Sequence, residues 1–275
     1  QDWLAGNVVR GCTDADMLSV MRDNGFQEHY ARVAISVVRS MTERVQQQAP
    51  QMLSGYKADP IRLPAHSTVR AGDREIGIGF TLADPNVALI QDLLTEQECE
   101  KLISLSAGKV TRSSVVDRAT GGDQISAVRT SAGTHFERGE NAIVARIEQR
   151  IAALTGLPIE NGEPLQILYY KPGNEYLAHH DYFDPNDPGS AEVMRAGGQR
   201  IATFVIYLNN VTEGGETRFP ELSLDVKPRR GSALYFEYRN AAGELDARCL
   251  HAGVPVIQGE KWIATKWLRQ GPYQR

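Results

Sequence analysis

Two histidines and one aspartate have the residue types and the spacing of a metal site. His179, His180 and Asp181 occur in one short run, and His251 lies much later in the chain. If this run is extended, side chains alternate between two faces, so His179 and Asp181 point one way and His180 the other. With His251 arriving from a distant strand, they would cover one face of a metal ion and leave the opposite positions open. Such a set is typical of non-haem Fe(II) and oxygen chemistry.

A His-x-Asp pair also occurs by chance, and most such pairs are ordinary surface residues, so the surrounding sequence has to decide. By the same alternation, His180 should pack on the outer face or bond locally, which argues against a ligand role. Cys249 lies two residues before His251 and therefore on the same side of that strand. The remaining histidines have no partner pattern and are interpreted as ordinary: His29, His66 and His135.

Most of the elements that would position these residues are predicted to be strands. Apolar runs bounded by turn residues predict strands at 87–90, 165–170, 201–208, 233–238 and 261–268. One helix is predicted to begin at the capping box of Thr95 and Glu98, and another to end at Gly156 after apolar residues spaced along 143–154. The fold class is therefore α+β and mainly β, an antiparallel double-sheet barrel or jelly roll with helices packed on one side.

The first 55 residues are predicted to be helical. Thr13 is an N-cap, Gly25 is a stop signal, and apolar residues from Tyr30 to Val45 recur at helical spacing, as in a core or partner-facing stripe. Residues 56–80 are rich in Pro, Gly and single charges, which is typical of a linker. The predicted organisation is an N-terminal helical extension with its linker, 1–80, and a domain that carries the candidate site, 81–275.

Composition and charge exclude several classes of partner. The chain has 275 residues, a net charge of −4 and 23% charged residues with both signs interspersed. The sequence has no basic cluster of the kind that indicates nucleic-acid binding. It also has no apolar run that approaches the length that spans a bilayer. The three cysteines, Cys12, Cys99 and Cys249, are too few for a disulfide framework. With no basic-then-apolar signal pattern in the first residues, we expect a cytoplasmic protein.

A series of short motifs runs in order from the His-x-Asp pair towards the end of the chain. They are YKPGNEYLAHHDYF at 170–183, GQRIAT at 198–203, YLN at 207–209, GGET at 214–217, FP at 219–220, VKP at 226–228, Asp246, HAGVPV at 251–256 and GEKW at 259–262. These motifs and their spacing resemble the prolyl 4-hydroxylase family of 2-oxoglutarate- and Fe(II)-dependent dioxygenases. The resemblance covers residues 84–270 and omits the N-terminal helices. Val254 stands where many relatives have Cys, a change that affects packing and no ligand.

The resemblance implies a double-stranded β-helix, or jelly roll, with a defined ligand set. Fe(II) would be held by His179, Asp181 and His251, and 2-oxoglutarate would chelate that iron through its 2-oxo acid end. Lys261 would meet the far carboxylate of 2-oxoglutarate, a role that suits a buried lysine. The positions that match the family's 2-oxoglutarate pocket are Tyr170, Thr217 and Trp267, and Arg200 matches a position near the substrate mouth with an expected catalytic role.

Each of the less direct assignments has a simpler alternative. Tyr170 and Trp267 could be plain core aromatics. Thr217 could merely close the turn after the glycine pair at 214–215. Arg200 could pair with a surface acid and have no contact with substrate.

The activity that the resemblance implies is hydroxylation of a prolyl residue in a peptide or protein. O2 and 2-oxoglutarate would be consumed and succinate and CO2 formed, with ascorbate as an auxiliary reductant. The alternatives are a hydroxylase of a free, proline-like amino acid or small natural product, a non-catalytic sensing or binding module, and a zinc enzyme of cupin type. The intact ligand set and Lys261 argue against the non-catalytic module. Expected partners are the substrate and a second copy through the N-terminal helices, with no nucleic acid and no membrane.

Residues 116–123 are expected to form a lid. They join two predicted extended segments, 113–116 and 129–131, and contain a glycine pair and small polar residues that suit a mobile loop. In relatives the matching region folds over the peptide, so here it should order around substrate and exclude water. Arg129 shortly follows the loop and is expected at the substrate mouth. The simpler alternative is an exposed hairpin tip without a role.

Overall fold

The computed structural model describes residues 4, 7–8, 12–36, 38–39, 56–117, 119–125 and 128–274. Its contacts divide the chain into two compact units, Gln1–Tyr56 and Lys57–Arg275. The division falls after Tyr56 rather than after residue 80, because most of residues 68–83 form strands of the larger unit. Within the described part of the chain, no helix is long and apolar enough to span a bilayer.

The N-terminal unit contains helix α1, Asp14–Asp23, which is capped as predicted. The Thr13 hydroxyl accepts a hydrogen bond from the backbone N–H of Asp16, and the helix ends at Asn24 before Gly25. Residues 28–36 and 38–39 are also helical. The residues that form the core of this unit are Leu4, Val8, Met17, Leu18, Met21, Ala31 and Ile35. Tyr30 and Val33 are exposed, because Ala31 and Ile35 define the buried side of their helix. The rest of the predicted stripe, at Met41 and Val45, lies outside the described residues.

The larger unit is built mainly of antiparallel strands. The strands are β1 Thr68–Ala71, β2 Arg74–Ala83, β3 Asn86–Gln91, β4 Thr111–Arg112, β5 Ser114–Val116, β6 Asp123–Ile125, β7 Ala132–Phe136, β8 Leu165–Tyr170, β9 Tyr176–His179, β10 Arg200–Tyr207, β11 Glu213–Gly214, β12 Thr217–Phe219, β13 Leu224–Val226, β14 Ala233–Glu237, β15 His251–Gly253, β16 Val256–Gln258 and β17 Lys261–Arg269. The helices are α2 Glu96–Ser106, α3 Ala142–Thr155 and the short α4 Ser190–Met194.

Two sheets face each other in the manner of a jelly roll. The large sheet has the order β1-β2-β3-β14-β10-β17-β8-β7-β4, and the smaller one has the order β13-β12-β15-β9. Two further pairs, β11-β16 and β5-β6, complete the described strands. The predicted strands from 165 to 268 and the fold class are confirmed, with strand ends shifted by a residue at most.

Alternation along the central strands of the large sheet creates two different interiors. On β17, Trp262, Ala264 and Leu268 pack into the core that contains the helices, whereas Ile263 packs into the core between the sheets. The same alternation on β10 sends Phe204 and Ile206 to the helices and Val205 and Tyr207 between the sheets. Each central strand is therefore buried on both faces, one against the helices and one between the sheets.

The two predicted helices of this unit are present with their predicted ends. Thr95 and Glu98 form a full capping box at the start of α2. Helix α3 begins at Asn141 and ends at Gly156, whose φ of 69° is in the left-handed region that favours glycine. Both helices pack against one face of the large sheet.

The linker predicted for residues 56–80 is wrong in its second half. Strands β1 and β2 occupy part of it, with Gly77 and Gly79 inside β2. Glycine is needed here because the Gln91 side chain on β3 packs over the strand. A Cβ at either position would lie 3.1–3.2 Å from that side chain. The strand predicted at 129–131 is also displaced. Arg129 forms an isolated β-bridge with Tyr176, and the strand begins three residues later as β7.

Candidate active site

Strand pairing brings the two histidines and the aspartate together. His179 is the last residue of β9 and His251 the first of β15, and the two are register partners on neighbouring strands. Asp181 lies two residues beyond His179 and faces both. One donor atom from each side chain lies within 4.8 Å of the others, and the Nε2 atoms of His179 and His251 are each 3.7 Å from an Asp181 oxygen.

Both imidazoles are oriented by backbone carbonyl groups. Nδ1 of His179 lies 2.9 Å from the Leu177 oxygen, and Nδ1 of His251 lies 3.0 Å from the Cys249 oxygen. A carbonyl oxygen can only accept, so each Nδ1 carries the proton and each Nε2 presents its lone pair to the shared space. Hydrogen bonds of this kind fix the tautomer and the ring orientation of metal-binding histidines.

The charges of the cluster suit a divalent cation. Burial by itself would raise the pKa of Asp181, but the neighbouring imidazoles and Arg200 hold it far below its usual range. Burial, together with the nearby His179, lowers the pKa of His251 to about 4. At neutral pH the cluster therefore offers an ionised carboxylate and a neutral imidazole, which are the forms that bind metal. The donor set fits Fe(II), since it has nitrogen and oxygen ligands on one side only.

The cluster opens into a cavity of about 410 Å³, its open mouth included. The lining residues are Tyr170, Tyr176, His179, Asp181, Val205, Thr217, His251, Gly253, Lys261, Ile263, Thr265 and Trp267. All the metal-ligand candidates and all the predicted 2-oxoglutarate-binding residues are among them.

Lys261 supplies a buried positive charge to this cavity. Its side chain is almost fully buried, and its Nζ lies 5.3 Å from the centre of the Tyr170 ring. Within the described residues no carboxylate lies at ion-pair distance, and Glu216 acts on it only as a more distant charge. Burial lowers the pKa of Lys261 to about 8. A buried ammonium group of this kind is stabilised by an anionic ligand.

The three other predicted pocket residues each have a polar atom as well as lining the cavity. The Tyr207 hydroxyl donates to Oγ1 of Thr217 over 2.9 Å, so the Thr217 proton is left for another acceptor. Nε1 of Trp267 is buried without a hydrogen-bond partner in the described structure. The Tyr170 hydroxyl bonds with Ser131 and Arg129, and burial raises its pKa. None of the three is a purely apolar wall residue.

Arg200 lies behind the cavity rather than at its mouth. Its guanidinium group donates to both carboxylate oxygens of Glu163, 2.6 and 2.8 Å away, and to the backbone oxygen of Asp181. It also stacks on the Trp267 ring at 3.9 Å. Its partner is not the surface acid of the simpler alternative but Glu163, which is itself buried and shared with Arg269. The expected position near the substrate mouth does not match this placement.

Arg129 and Tyr176 form a stack against the metal-ligand candidates. The centres of the Tyr176 and His179 rings are 3.6 Å apart. The Cζ atom of Arg129 lies 4.9 Å from the centre of the Tyr176 ring. Arg129 is buried and also donates to Ser131 and Gln166. Its guanidinium group is thus already engaged within the protein. The contact with substrate stays a prediction.

His180 faces away from the cluster, as alternation predicts. Its Nε2 lies 3.0 Å from the Ala247 oxygen, and its ring stacks on Tyr182. His135 is exposed beside Glu137. Cys249 is buried, with its thiol 3.3 Å from the Glu237 oxygen, and it is not part of the candidate metal cluster.

Sequence reasoning missed two hydroxyl groups of the site. Thr203 Oγ1 donates to Asp181 Oδ2 over 2.7 Å, and the Tyr238 hydroxyl lies 3.1 Å from Thr203 Oγ1. Thr203 shares its face of β10 with Val205 and Tyr207. A single threonine on that otherwise hydrophobic or aromatic face was the available signal.

Known proteins with similar sequences and structures agree with this geometry. Residues 165–269 match the family described as the 2OG-Fe(II) oxygenase superfamily. Probable prolyl 4-hydroxylase 3 of Arabidopsis thaliana is 42% identical over 70% of this chain and 71% of its own length, and prolyl 4-hydroxylase 5 of the same plant is 42% identical over 67% and 68%. The structure of a viral collagen prolyl hydroxylase from Paramecium Bursaria Chlorella virus-1, in complex with 2-oxoglutarate, is 30% identical with a TM-score of 0.53 and covers 66% of this chain and 95% of its own.

The sequence identity extends over two thirds or more of both chains in the plant comparisons, and the resemblance drawn from the motifs is confirmed. The donor set fits Fe(II), and the cavity beside it contains a buried positive charge, which suits an anionic co-substrate. The chain therefore belongs to the prolyl 4-hydroxylase family of the 2OG-Fe(II) oxygenase superfamily and is an Fe(II)- and 2-oxoglutarate-dependent dioxygenase.

Proposed function

We propose that this enzyme hydroxylates a prolyl residue of a peptide or protein, with Fe(II) held by His179, Asp181 and His251. One observation carries the proposal: a single cavity has the three-residue donor set on one part of its wall and the buried, unpaired ammonium group of Lys261 on another. When bound, the iron supplies the oxygen chemistry that converts 2-oxoglutarate to succinate and CO2 and hydroxylates a C–H bond. The names of the plant and viral relatives support a prolyl substrate.

The protein residues orient the co-substrate and keep water out. Lys261 pairs with the distal carboxylate of 2-oxoglutarate, and Thr217 and Trp267 have a hydroxyl and an indole N–H available as further donors. The Tyr170 ring packs beside the Lys261 ammonium group. Arg200 does not reach the cavity and acts through Trp267 and the backbone of Asp181. We therefore assign it as a positioning residue rather than a substrate-binding one.

The direct test is turnover with a panel of substrates. Succinate formation is measured with Fe(II), O2 and 2-oxoglutarate, with and without ascorbate, against proline-containing peptides, free proline, related amino acids and no substrate. Stimulation by peptides with a matching hydroxyproline product supports the proposal. Stimulation by free amino acids alone would assign the small-molecule activity instead, and no 2-oxoglutarate consumption by the Fe(II)-loaded enzyme would refute the proposed chemistry. The Asp181→Ala variant serves as the inactive control.

We further propose that the β5–β6 hairpin covers the substrate. Its tip touches the loop before α4 through two glycines: a Cβ at Gly121 would lie 2.7 Å from the Gly189 oxygen, and a Cβ at Gly189 would collide with the Gly121 backbone. One of these segments leads towards Arg129 and the other follows directly from Asp181. Backbone contact between the two segments makes a closed strap, which has to open or be threaded when a peptide binds.

The strap is tested by adding one methyl group. Gly189 has an ordinary φ of −75°, so Gly189→Ala introduces the collision without backbone strain. We expect faster proteolysis within 116–125 in the absence of peptide and more succinate formed per hydroxyproline. Gly108→Ala is the matched control, since nothing lies within 4 Å of its Cβ position. Wild-type proteolysis and coupling in Gly189→Ala would reject the strap.

Self-association through the N-terminal unit is also part of the proposal. Phe26, Tyr30 and Val33 are exposed to 55, 67 and 49% and are close in sequence. Such an exposed apolar and aromatic set favours contact with a second copy. Light scattering of the full chain and of Tyr30→Glu tests it, and equal masses for both at the monomer value would reject it.

For the compartment, we propose a reducing one such as the cytoplasm. The support is that Cys12, Cys99 and Cys249 are all free thiols. Fractionation of the source cells tests this, and recovery with an oxidising compartment would reject it.

A further inference from the structure

The hydroxyl groups of Thr203 and Tyr238 form a buried chain that ends on the aspartate of the metal-binding cluster. Both residues have no exposed surface. Thr203 Oγ1 is 2.7 Å from Asp181 Oδ2 and 3.1 Å from the Tyr238 oxygen. Thr203 lies in the middle of β10, where it is paired with Phe236 on one side and Trp267 on the other. The hydroxyl is thus held by a rigid, fully paired strand.

The direction of the proton in each bond follows from the acceptor. An ionised carboxylate can only accept, so Thr203 donates its single proton to Asp181. Thr203 then has only lone pairs for Tyr238, and the Tyr238 hydroxyl must be the donor of the second bond. The order is therefore Tyr238 to Thr203 to Asp181 Oδ2, and Tyr238 favours the rotamer in which the Thr203 proton points at the carboxylate.

The two oxygens of Asp181 are consequently not equivalent. Each oxygen lies 3.7 Å from Nε2 of one histidine, Oδ1 from His179 and Oδ2 from His251. Only Oδ2 also accepts the short, charge-assisted hydrogen bond from Thr203, so one of its lone pairs is already engaged. Chelation of a cation by both oxygens would require the carboxylate to turn and lengthen the Thr203 bond. It would also occupy one of the positions that 2-oxoglutarate and O2 need.

We infer that Thr203, oriented by Tyr238, is a positioning residue that restricts Asp181 to binding the metal through one oxygen, Oδ1, and so keeps a coordination position open for 2-oxoglutarate. This inference rests on the proposed role of Asp181 as a metal ligand. It makes a specific claim about the variant without the hydroxyl group: the metal stays, and the co-substrate is lost.

Thr203→Val removes the hydroxyl and keeps the shape of the side chain, whereas Thr203→Ser keeps the hydroxyl. Fe(II) affinity and 2-oxoglutarate affinity are measured separately under anaerobic conditions, together with the charge-transfer absorption of the iron–2-oxoglutarate chelate. In Thr203→Val we expect Fe(II) affinity within about threefold of wild type, and 2-oxoglutarate affinity at least about tenfold weaker, as for loss of a hydrogen bond to a charged group. The absorption band should shrink or shift. Thr203→Ser should restore both, and Tyr238→Phe should show a smaller loss of about threefold.

Three results would overturn the inference. One is wild-type affinity for 2-oxoglutarate and an unchanged band in Thr203→Val. Another is loss of Fe(II) binding in Thr203→Val with rescue by Thr203→Ser, because the hydroxyl would then hold the ligand and not restrict it. The third is failure of Thr203→Ser to rescue, which would indicate a packing role. If Thr203→Val does not fold, Thr203→Ala is read by the same criteria. A wild-type protein that binds neither Fe(II) nor 2-oxoglutarate would refute the proposed function and the inference together, whereas a normal wild type with an unaffected variant refutes the inference alone.

Discussion

Two lysines on strand β17 occupy equally buried positions and have opposite surroundings. Lys261 and Lys266 are 2 and 1% exposed. Lys266 faces the helices, and its Nζ lies 2.6 Å from a carboxylate oxygen of Glu148 on α3. Lys261 faces the inter-sheet cavity, and no carboxylate in the described part of the chain pairs with it. Burial lowers the pKa of both, and only for Lys266 does a direct ion pair oppose that effect.

The difference separates a structural charge from a functional one. A buried ion pair loses most of its value when one partner is removed, because the other charge stays behind without a partner. A buried charge that has no protein partner lowers the stability of the fold unless a ligand supplies the counter-charge. By this argument the folded chain tolerates Lys261 at some cost in stability, and the anionic ligand proposed for the cavity would recover that cost.

The largest effect is expected for Lys266→Met. It leaves Glu148 buried without its counter-charge, so the free energy of unfolding should fall by about 3–5 kcal/mol. Chemical denaturation measures this value, and 2-oxoglutarate affinity of the folded fraction should be unchanged. The double variant Lys266→Met/Glu148→Gln should recover most of the loss. A single variant as stable as wild type would show that the pair is not structural.

Lys261→Met should have the reverse profile. Affinity for 2-oxoglutarate should fall by about 2–4 kcal/mol, the usual result of truncating one partner of a buried charge pair. Stability without ligand should be unchanged or higher, because an unpaired buried charge is removed. Calorimetric titration and thermal denaturation, each with bound Mn(II), give the two values. Unchanged 2-oxoglutarate affinity would reject Lys261 as the anchor.

The pH dependence of 2-oxoglutarate binding is a further test of the role of Lys261. In the free enzyme the pKa of Lys261 is about 8, and a bound carboxylate raises it by favouring the charged form. Affinity for 2-oxoglutarate should therefore be constant below about pH 8 and fall above it by up to about tenfold per pH unit. Lys261→Arg is the control, since a guanidinium group stays charged throughout this range. A flat profile in wild type, or the same decline in Lys261→Arg, would contradict the assignment.

The smallest effect is expected at Thr217, which lines the same cavity. Its proton is free for a ligand because Tyr207 donates to its oxygen. Thr217→Val should weaken 2-oxoglutarate binding by about fivefold, the value of one ordinary hydrogen bond, and Thr217→Ser should retain it. A loss of stability without any change in affinity would show that Thr217 merely closes the turn.

Local signals in the sequence were sufficient for most elements of the larger unit. The capping box at Thr95 and the left-handed stop at Gly156 act within a few residues, so the start of α2 and the end of α3 could be predicted. The spacing of His179 and Asp181 also works locally, because alternate residues of an extended segment share a face. The motifs then indicated the family, and with it His251 and Lys261 as further members of the site.

Other features depend on partners that are distant in sequence. The glycines of β2 indicated a linker until Gln91 from β3 was found to pack over them. Arg200 could be given no partner, because Glu163 reaches it only across the folded sheet. Thr203 ends the motif at 198–203 but had no assigned role, because its contact with Asp181 exists only in the folded chain.

The two lysines on β17 show most clearly what the sequence determines and what only the tertiary structure determines. Their positions in the sequence, five apart on one strand, already imply opposite faces, since residues an odd number apart alternate. Which face has a carboxylate is decided by α3, which places Glu148 next to Lys266, whereas no carboxylate of the described residues pairs with Lys261. Strand periodicity is a property of the backbone and can be predicted from sequence alone. The pairing of a buried charge is a property of packing between distant segments, and only the tertiary structure determines it.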